Sequence, residues 1–139
     1  MIHDLQIHVT EITDEQRFCF TSKLFGERAF LEGEIAVYQW MRQLCTTYNG
    51  GYWRFFSLSN GGYFMQPDVD DTLHLVWPLN WSDEVVSAQA AGIVATMFGL
   101  SQAMATFSDE VMIENYHKLR EFLGQHPESR AMLDRKSVV

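Results

Sequence analysis

An uncharged stretch of 24 residues, 85–108, places the tightest constraint on how this chain folds. A segment this long and apolar either spans a bilayer or forms the centre of a core. Nine of its residues are Ser, Thr, Gln or Gly, and acidic pairs flank it at Asp83-Glu84 and Asp109-Glu110. Because membrane spans carry basic residues on their cytoplasmic side, the sequence predicts a buried core helix and no membrane association.

The two sides of this predicted helix differ in side-chain size. The larger residues of one side are Ile93, Met97, Leu100 and Met104. The small residues of the other side are Ala88, Ala91, Gly92, Ala95 and Gly99. Small residues let another backbone come close, so we expect the helix to pack against both a sheet and a neighbouring helix. Ser82 or Ser87 is the predicted N-cap.

Helices are also predicted on both sides of a central strand region. A Thr13/Gln16 capping box opens a short helix that ends near Gly26. An apolar stripe predicts a strong helix over 31–48. Further helices are predicted from Ser108 to about 124 and over about 128–135.

The length of 139 residues is typical of one domain. We therefore predict a single domain over 1–139. Weak alternation in residues 1–12 predicts an edge strand or an ordered arm, and residues 136–139 are expected to form a frayed tail.

An aromatic and glycine-rich segment, 49–65, predicts the strands. The pattern Asn-Gly-Gly-Tyr followed by an aromatic residue occurs at 49–53 and again at 60–64. Strands 52–58 and 63–65 would flank an Asn-Gly turn, with a third strand over 73–77. The predicted fold class is α+β, with a three-stranded antiparallel meander over about 52–77 packed against four or five helices.

The same segment supplies a candidate recognition surface, since aromatic residues are common interface anchors. Its members are Tyr52, Trp53, Arg54, Asn60, Gly61, Gly62 and Tyr63. In the alternative interpretation, the aromatic side chains fill both faces of the sheet and the glycines form turns. Composition alone favours that structural alternative.

The net charge of −8 is concentrated in one window. Residues 55–117 contain eight acids and no Lys or Arg, whereas the rest of the chain has ten acids and ten bases. This distribution argues against a basic footprint for nucleic acid and leaves open an acidic face that meets a basic partner. The candidate acidic patch comprises Asp68, Asp70, Asp71, Asp83 and Glu84.

Motifs for catalysis or cofactor binding are missing from the sequence. It contains no phosphate-binding Gly-x-x-x-x-Gly-Lys-Ser/Thr, no Gly-x-Ser-x-Gly and no His-Glu-x-x-His. The acids at 68–71 lack the glycine and glutamate of a calcium loop. Cys19 and Cys45 are predicted to be buried free thiols, and His126 a solvated surface residue. We expect no enzyme activity, cofactor or metal. The N-terminus lacks signal-peptide features, which predicts a cytoplasmic protein.

The run Gly-Gly-Tyr-Trp-Arg-Phe-Phe-Ser-Leu-Ser-Asn-Gly-Gly-Tyr-Phe-Met at 50–65 resembles the hallmark of the ArdB/KlcA antirestriction proteins. Other stretches that resemble the family are 24–26, 34–41, 87–98, 116–120 and 126–127. The resemblance implies a compact α+β fold with no known cofactor and no established catalytic residues. It also implies carriage by plasmids and other mobile elements, and relief of type I restriction in the host cell. The expected partner is the type I restriction–modification complex.

Three mechanisms remain open at this stage. A DNA mimic about 40 Å long needs roughly 20 acids in register, because duplex DNA carries one charge per ~1.7 Å. The eight unbalanced acids are too few, so we favour protein–protein inhibition over full DNA mimicry. A nucleic-acid-binding module that uses the aromatic hairpin is opposed by the acidic pI of about 4.9. No sequence-specific nucleic-acid binding is expected.

Overall fold

A computed structural model describes residues 6–77 and 82–133 of the chain. The described residues form an α+β fold, which confirms the predicted class. The helices are α1 (Phe20–Phe25), α2 (Phe30–Leu44), α3 (Ala88–Phe107), α4 (Glu110–Gln125) and α5 (Ser129–Leu133), with a 3₁₀ helix at Asp14–Cys19. The strands are β1 (Val9–Ile12), β2 (Trp53–Leu58), β3 (Tyr63–Pro67), β4 (Leu73–Trp77) and β5 (Ser82–Val86).

The main sheet has three antiparallel strands in the order β1-β2-β3. The predicted hairpin is present, since Phe56 lies opposite Phe64 and Ser57 lies opposite Tyr63. The predicted third strand exists, but its assignment to this sheet is wrong. Val9–Ile12 takes that place at the edge of the sheet, whereas Leu73–Trp77 pairs with Ser82–Val86 in a separate two-stranded sheet.

The far edge of β3 is closed by helix α3, which explains why β4 does not pair there. The Met65 amide donates a hydrogen bond to the Thr96 hydroxyl at 3.1 Å, and that hydroxyl lies 3.4 Å from the Met65 carbonyl oxygen. A Cβ on Gly92 would lie 2.2 Å from the same carbonyl oxygen. Only glycine therefore allows the helix this close to the strand.

Helix α3 is the predicted core helix. It is long and apolar enough to cross a membrane, but 67% of its most apolar stretch is buried inside the fold. Its small side faces both expected neighbours, because Gly92 meets β3 and a Cβ on Gly99 would lie 2.5 Å from Val37 of α2. Ser87 is the N-cap, since its hydroxyl accepts a hydrogen bond from the Ala90 amide.

Helix boundaries depart from the sequence prediction in three places. The Thr13 side chain makes no cap hydrogen bond, and the chain enters a 3₁₀ helix before α1. Helix α2 ends at Leu44, whereas Tyr48 lies in the following loop and accepts a hydrogen bond from Trp53 Nε1 at 2.6 Å. Ser108 is the left-handed C-cap of α3, and Asp109 caps α4 instead.

Helices cover both faces of the main sheet. On one face Phe20 of α1 stacks on Phe55 with 4.3 Å between ring centroids. On the other face Phe64 stacks between Phe56 and Phe122 of α4, at 5.0 and 6.0 Å. The aromatic residues of the hairpin therefore build a two-sided core.

Candidate interaction surfaces

The turn of the β2–β3 hairpin is docked on helix α4. The side-chain amide of Asn60 donates to the Lys118 carbonyl and to Glu121 Oε1, each at 3.0 Å. Its oxygen accepts a hydrogen bond from the Gly62 amide at 3.0 Å. Lys118 also covers the two glycines, since a Cβ on Gly61 or Gly62 would lie 3.1 or 3.0 Å from its side chain. These three predicted surface residues therefore hold the turn in place.

Trp53 and Tyr63 contribute to packing. Trp53 is 3% exposed, with its ring against Tyr38 and Tyr48. Tyr63 is half-buried and presents its edge to Phe20 at 5.7 Å. Burial and the carboxylate of Glu34, which accepts a hydrogen bond from the Tyr38 hydroxyl, raise the pKa of Tyr38 above its usual range. The Tyr38 hydroxyl therefore stays protonated, and this aromatic cluster belongs to the core.

Tyr52 and Arg54 remain available at the surface. Tyr52 is 59% exposed, and the Arg17 guanidinium lies 4.6 Å from its ring centroid and 4.1 Å from that of Phe55. Arg17 also donates a hydrogen bond to the Trp53 carbonyl at 2.9 Å. Cation–π contacts of this kind fix the 3₁₀ helix against β2. Exposed Tyr52 and half-buried Arg54 thus form a small aromatic and basic surface.

Arg54 is the point where the two predicted surfaces approach each other. Its Nη2 lies 2.8 Å from Glu11 Oε1, and its Nε donates to Glu11 Oε2 at 3.1 Å. The hydrogen bond that Arg54 donates to Glu11 raises the pKa of Arg54, with smaller contributions from the charges of Asp68 and Asp70. The same bond lowers the pKa of Glu11. Arg54 is therefore surrounded by acidic groups.

The candidate acidic patch divides between a loop and a strand. Asp68, Asp70 and Asp71 are exposed in the loop between β3 and β4. Asp83 of β5 forms a hydrogen bond with His74 across the two-stranded sheet, and Glu84 is half-buried opposite Leu75. The loop carboxylates are exposed, whereas Asp83 already has a partner.

A second surface, which the sequence did not predict, lies between the 3₁₀ helix and α2. A groove of about 490 Å³ is lined by Phe18, Cys19, Thr21, Ser22, Glu27 and Phe30. Phe18 is 91% exposed, and Leu31 and Ile35 of α2 are also exposed. Cys19 is an exposed thiol, so its predicted burial is wrong, whereas Cys45 is buried as predicted. The sequence did carry one signal for this surface, since Leu31 and Ile35 are apolar residues of α2 outside its buried stripe.

His126 joins the ends of three helices, and its predicted solvation is wrong. Its Nδ1 accepts a hydrogen bond from the Glu128 amide at 2.9 Å, which assigns the ring proton to Nε2, 2.7 Å from Gln89 Oε1. The Glu128 carboxylate accepts hydrogen bonds from the amide and hydroxyl of Ser87. Burial lowers the pKa of His126, in agreement with a neutral ring. This network is structural.

Metal-binding chemistry finds no support in residues 6–77 and 82–133, where no group of three or more His, Cys, Asp or Glu residues is placed to hold an ion. The surfaces described above consist of exposed aromatic, apolar and charged side chains. Such surfaces are typical of proteins that act by binding other macromolecules.

Comparison with known proteins identifies the family. The model of a family described as "Antirestriction protein" matches residues 46–135, and the chain belongs to this family. An antirestriction protein KlcA from Escherichia coli is 39% identical over 133 residues, which cover 93% of this chain and 94% of the relative. The uncharacterized protein YafX of Escherichia coli strain K12 is also 39% identical over 133 residues, covering 94% and 88%.

A solved structure shares the fold. It matches with a TM-score of 0.84 and 40% identity, covering 96% of this chain and 98% of the other. That work describes the KlcA and ArdB proteins as having a novel fold and antirestriction activity against type I DNA restriction systems in vivo but not in vitro. The family resemblance found in the sequence is thereby confirmed.

Proposed function

We propose that this protein relieves type I restriction in the cytoplasm of the host of a mobile element, by direct protein–protein inhibition of the restriction–modification complex. The observation that carries the proposal is the similarity to KlcA over 93% of the chain. The proposed inhibition requires no catalytic step or cofactor, because occupation of a functional surface of the complex is sufficient.

The placement of the acids supports protein contact over duplex mimicry. A duplex presents an unbroken series of charges, one per ~1.7 Å of axis. In this protein Asp109 accepts a hydrogen bond from the Val111 amide as a helix cap, and Asp83 pairs with His74. Asp68 and Asp70 lie close enough to Arg54 to raise its pKa. The acids therefore serve several local roles.

The proposal is tested in cells, since the KlcA and ArdB proteins are described as active in vivo but not in vitro. Unmodified phage is plated on a bacterial host that carries a type I system, with and without expression of this protein. We expect expression to raise plating efficiency toward that of a restriction-deficient host. Hosts with a type II endonuclease serve as the specificity control. Unchanged plating on the type I host, with the protein present and folded, contradicts the proposal.

The mechanism is tested by competition. The protein and the modification core of the type I complex are captured together from cells in which restriction is relieved, and unmodified duplex DNA is added to the captured complex in increasing amounts. Protein–protein inhibition away from the DNA channel predicts that binding is insensitive to the duplex. Displacement by DNA at its own binding concentration would instead support mimicry.

A further inference from the structure

The geometry points to the groove beside Phe18 as the docking site for a segment of the restriction–modification complex in which an apolar anchor is flanked by Lys or Arg. This inference rests on the proposed function and adds the surface and the chemistry of its partner. The Phe18 groove is lined by Phe18, Cys19, Thr21, Ser22, Glu27 and Phe30.

Phe18 is held outward by the residues on either side of it. Arg17 is fixed by its hydrogen bond to the Trp53 carbonyl and by its contacts with two aromatic rings. Phe20 is fully buried and stacks on Phe55. Since both neighbours are anchored to β2, the Phe18 ring cannot turn into the core and remains 91% exposed. The backbone that presents the ring is therefore already ordered, which lowers the entropic cost of binding at this position.

The apolar surface continues from the groove along α2. Phe30 forms the opposite wall of the groove. Leu31 and Ile35 are both exposed and lie one helical turn apart, on the same face of α2. Singly scattered apolar residues need no explanation, but Phe18 and Phe30 line one groove, and a contiguous exposed apolar surface marks an interaction site. The groove therefore fits an occupant with apolar side chains.

Charge selects the occupant. Glu27 is the acidic side chain among the groove residues, and Glu32 lies in the first turn of α2, outside the groove lining. In the described part of the chain neither acid has an ion pair or hydrogen bond, and both are exposed. Lys23 and Arg28 lie on the same segment but do not line the groove.

The net charge of −8, which is concentrated in residues 55–117, disfavours other occupants. It opposes a second copy of the chain, nucleic acid and an anionic membrane, since each of these is also negative. A complex that grips DNA carries basic surfaces. An apolar segment with a basic flank on that complex therefore matches both the apolar wall of the groove and Glu27.

Photo-crosslinking in cells tests the occupant. p-Benzoylphenylalanine is incorporated in place of Phe18 in cells that carry the type I complex, and in place of Val111, an exposed apolar residue of α4, as the control. We expect a cross-link from position 18 to a subunit of the complex, within a segment that contains Lys or Arg beside an apolar residue. Links to a second copy of the chain, or to the complex from both positions equally, overturn the inference.

Substitutions test whether the groove carries the activity. The paired change Phe18→Ser and Leu31→Ser is compared with the control pair Val111→Ser and Ile113→Ser, and Glu27→Lys with Glu114→Lys. Truncation of an interface anchor weakens binding about thirty-fold, so restriction relief should fall for the groove variants and persist for the controls. Thermal melting verifies that all variants are folded.

The results also separate this inference from the proposed function. If the unaltered protein relieves restriction while the folded groove variants match it, the docking site is wrong and the proposed function stands. If the unaltered protein gives no relief, both the proposed function and the inference that depends on it fail.

Discussion

The β2–β3 hairpin and the Phe18 groove are opposites in sequence and in structure. The hairpin contains the pattern by which the sequence resembles its family. Nearly every residue of that pattern is packed or hydrogen-bonded within the fold. Asn60 makes hydrogen bonds to α4, and Trp53 is buried. The groove lies in a segment with no distinctive motif, yet it presents the most exposed phenylalanine described, Phe18.

The difference shows that a recognisable sequence motif can consist of residues that stabilise the fold and not of residues that contact a partner. The repeated Asn-Gly-Gly pattern supports this view. Asn60 is held by three hydrogen bonds, whereas Asn49 is exposed, and Cβ atoms on the glycines that follow it would meet nothing within 4 Å. The same residues are structural in one copy and solvated in the other.

The largest effect should come from Phe64→Ala in the hairpin. Phe64 is fully buried and stacks between Phe56 and Phe122, so its truncation should cost about 3–5 kcal/mol of unfolding free energy. Tyr52→Ala, on an exposed ring of the same hairpin, is the control and should change stability far less. Urea denaturation measures both. Equal losses would contradict a hairpin with one structural and one solvated part.

The next effect concerns the two copies of the pattern. Asn60→Ala removes three hydrogen bonds and leaves the Lys118 carbonyl and the Gly62 amide without this partner, which should destabilise the fold by about 1–3 kcal/mol. Asn49→Ala should stay within about 0.5 kcal/mol. Thermal melts of the two variants compare identical substitutions in the two copies. Similar melting temperatures would show that the docked turn contributes nothing.

A smaller effect is expected from pH at the end of α4, the helix that supports the hairpin. The pKa of His126 in the fold is lowered from 6.5 by burial, so the unfolded chain binds more protons in the interval below 6.5. Stability should therefore fall as pH decreases from 6.5 toward the folded-state value. The difference in unfolding free energy between wild-type and His126→Gln, measured across this interval, isolates the contribution. A difference independent of pH would refute the neutral-ring assignment.

The smallest effect on stability should come from the groove. Phe18 is almost fully exposed, so Phe18→Ser should change the unfolding free energy by no more than about 0.5 kcal/mol. The same variant should lose restriction relief if the proposed docking site is correct. Denaturation and phage plating of one preparation give both values. A large stability loss would show that Phe18 is part of the packing and would remove the contrast with the hairpin.

Local patterns predicted most of the secondary structure. The uncharged stretch became α3 because its small residues suit close packing, as Gly92 and Gly99 demonstrate. The Asn-Gly turn correctly placed the hairpin. The pairing of Leu73–Trp77 was not predictable, because it depends on α3 closing the edge of β3 through Thr96. The alternation of apolar and polar residues within a strand does not show which distant segment that strand contacts.

The candidate surfaces were harder to predict for a related reason. The alternation of residues along β2 shows which side chains share a face of the sheet. It does not show that helices cover both faces, so the burial of Trp53 could not be predicted from it. The exposure of Phe18 and Cys19 depends on a 3₁₀ helix where an α-helix was predicted. The burial of His126 depends on Gln89 and Glu128. These outcomes arise from tertiary packing and not from residue type.

The position of β1 has a consequence for how the chain acquires its structure. Val9–Ile12 pairs with residues 55–58, and the Ile7 amide donates to Gln125 Oε1 across 118 positions. Contacts between residues so far apart in sequence form slowly, because the intervening chain loses conformational entropy before the contacts stabilise it. During synthesis β1 can pair only after β2 has been made. The hydrogen bond from Ile7 to Gln125 can form only after α4 has been completed. Ile7 and strand β1 are thus among the last described parts of the molecule to reach their final contacts.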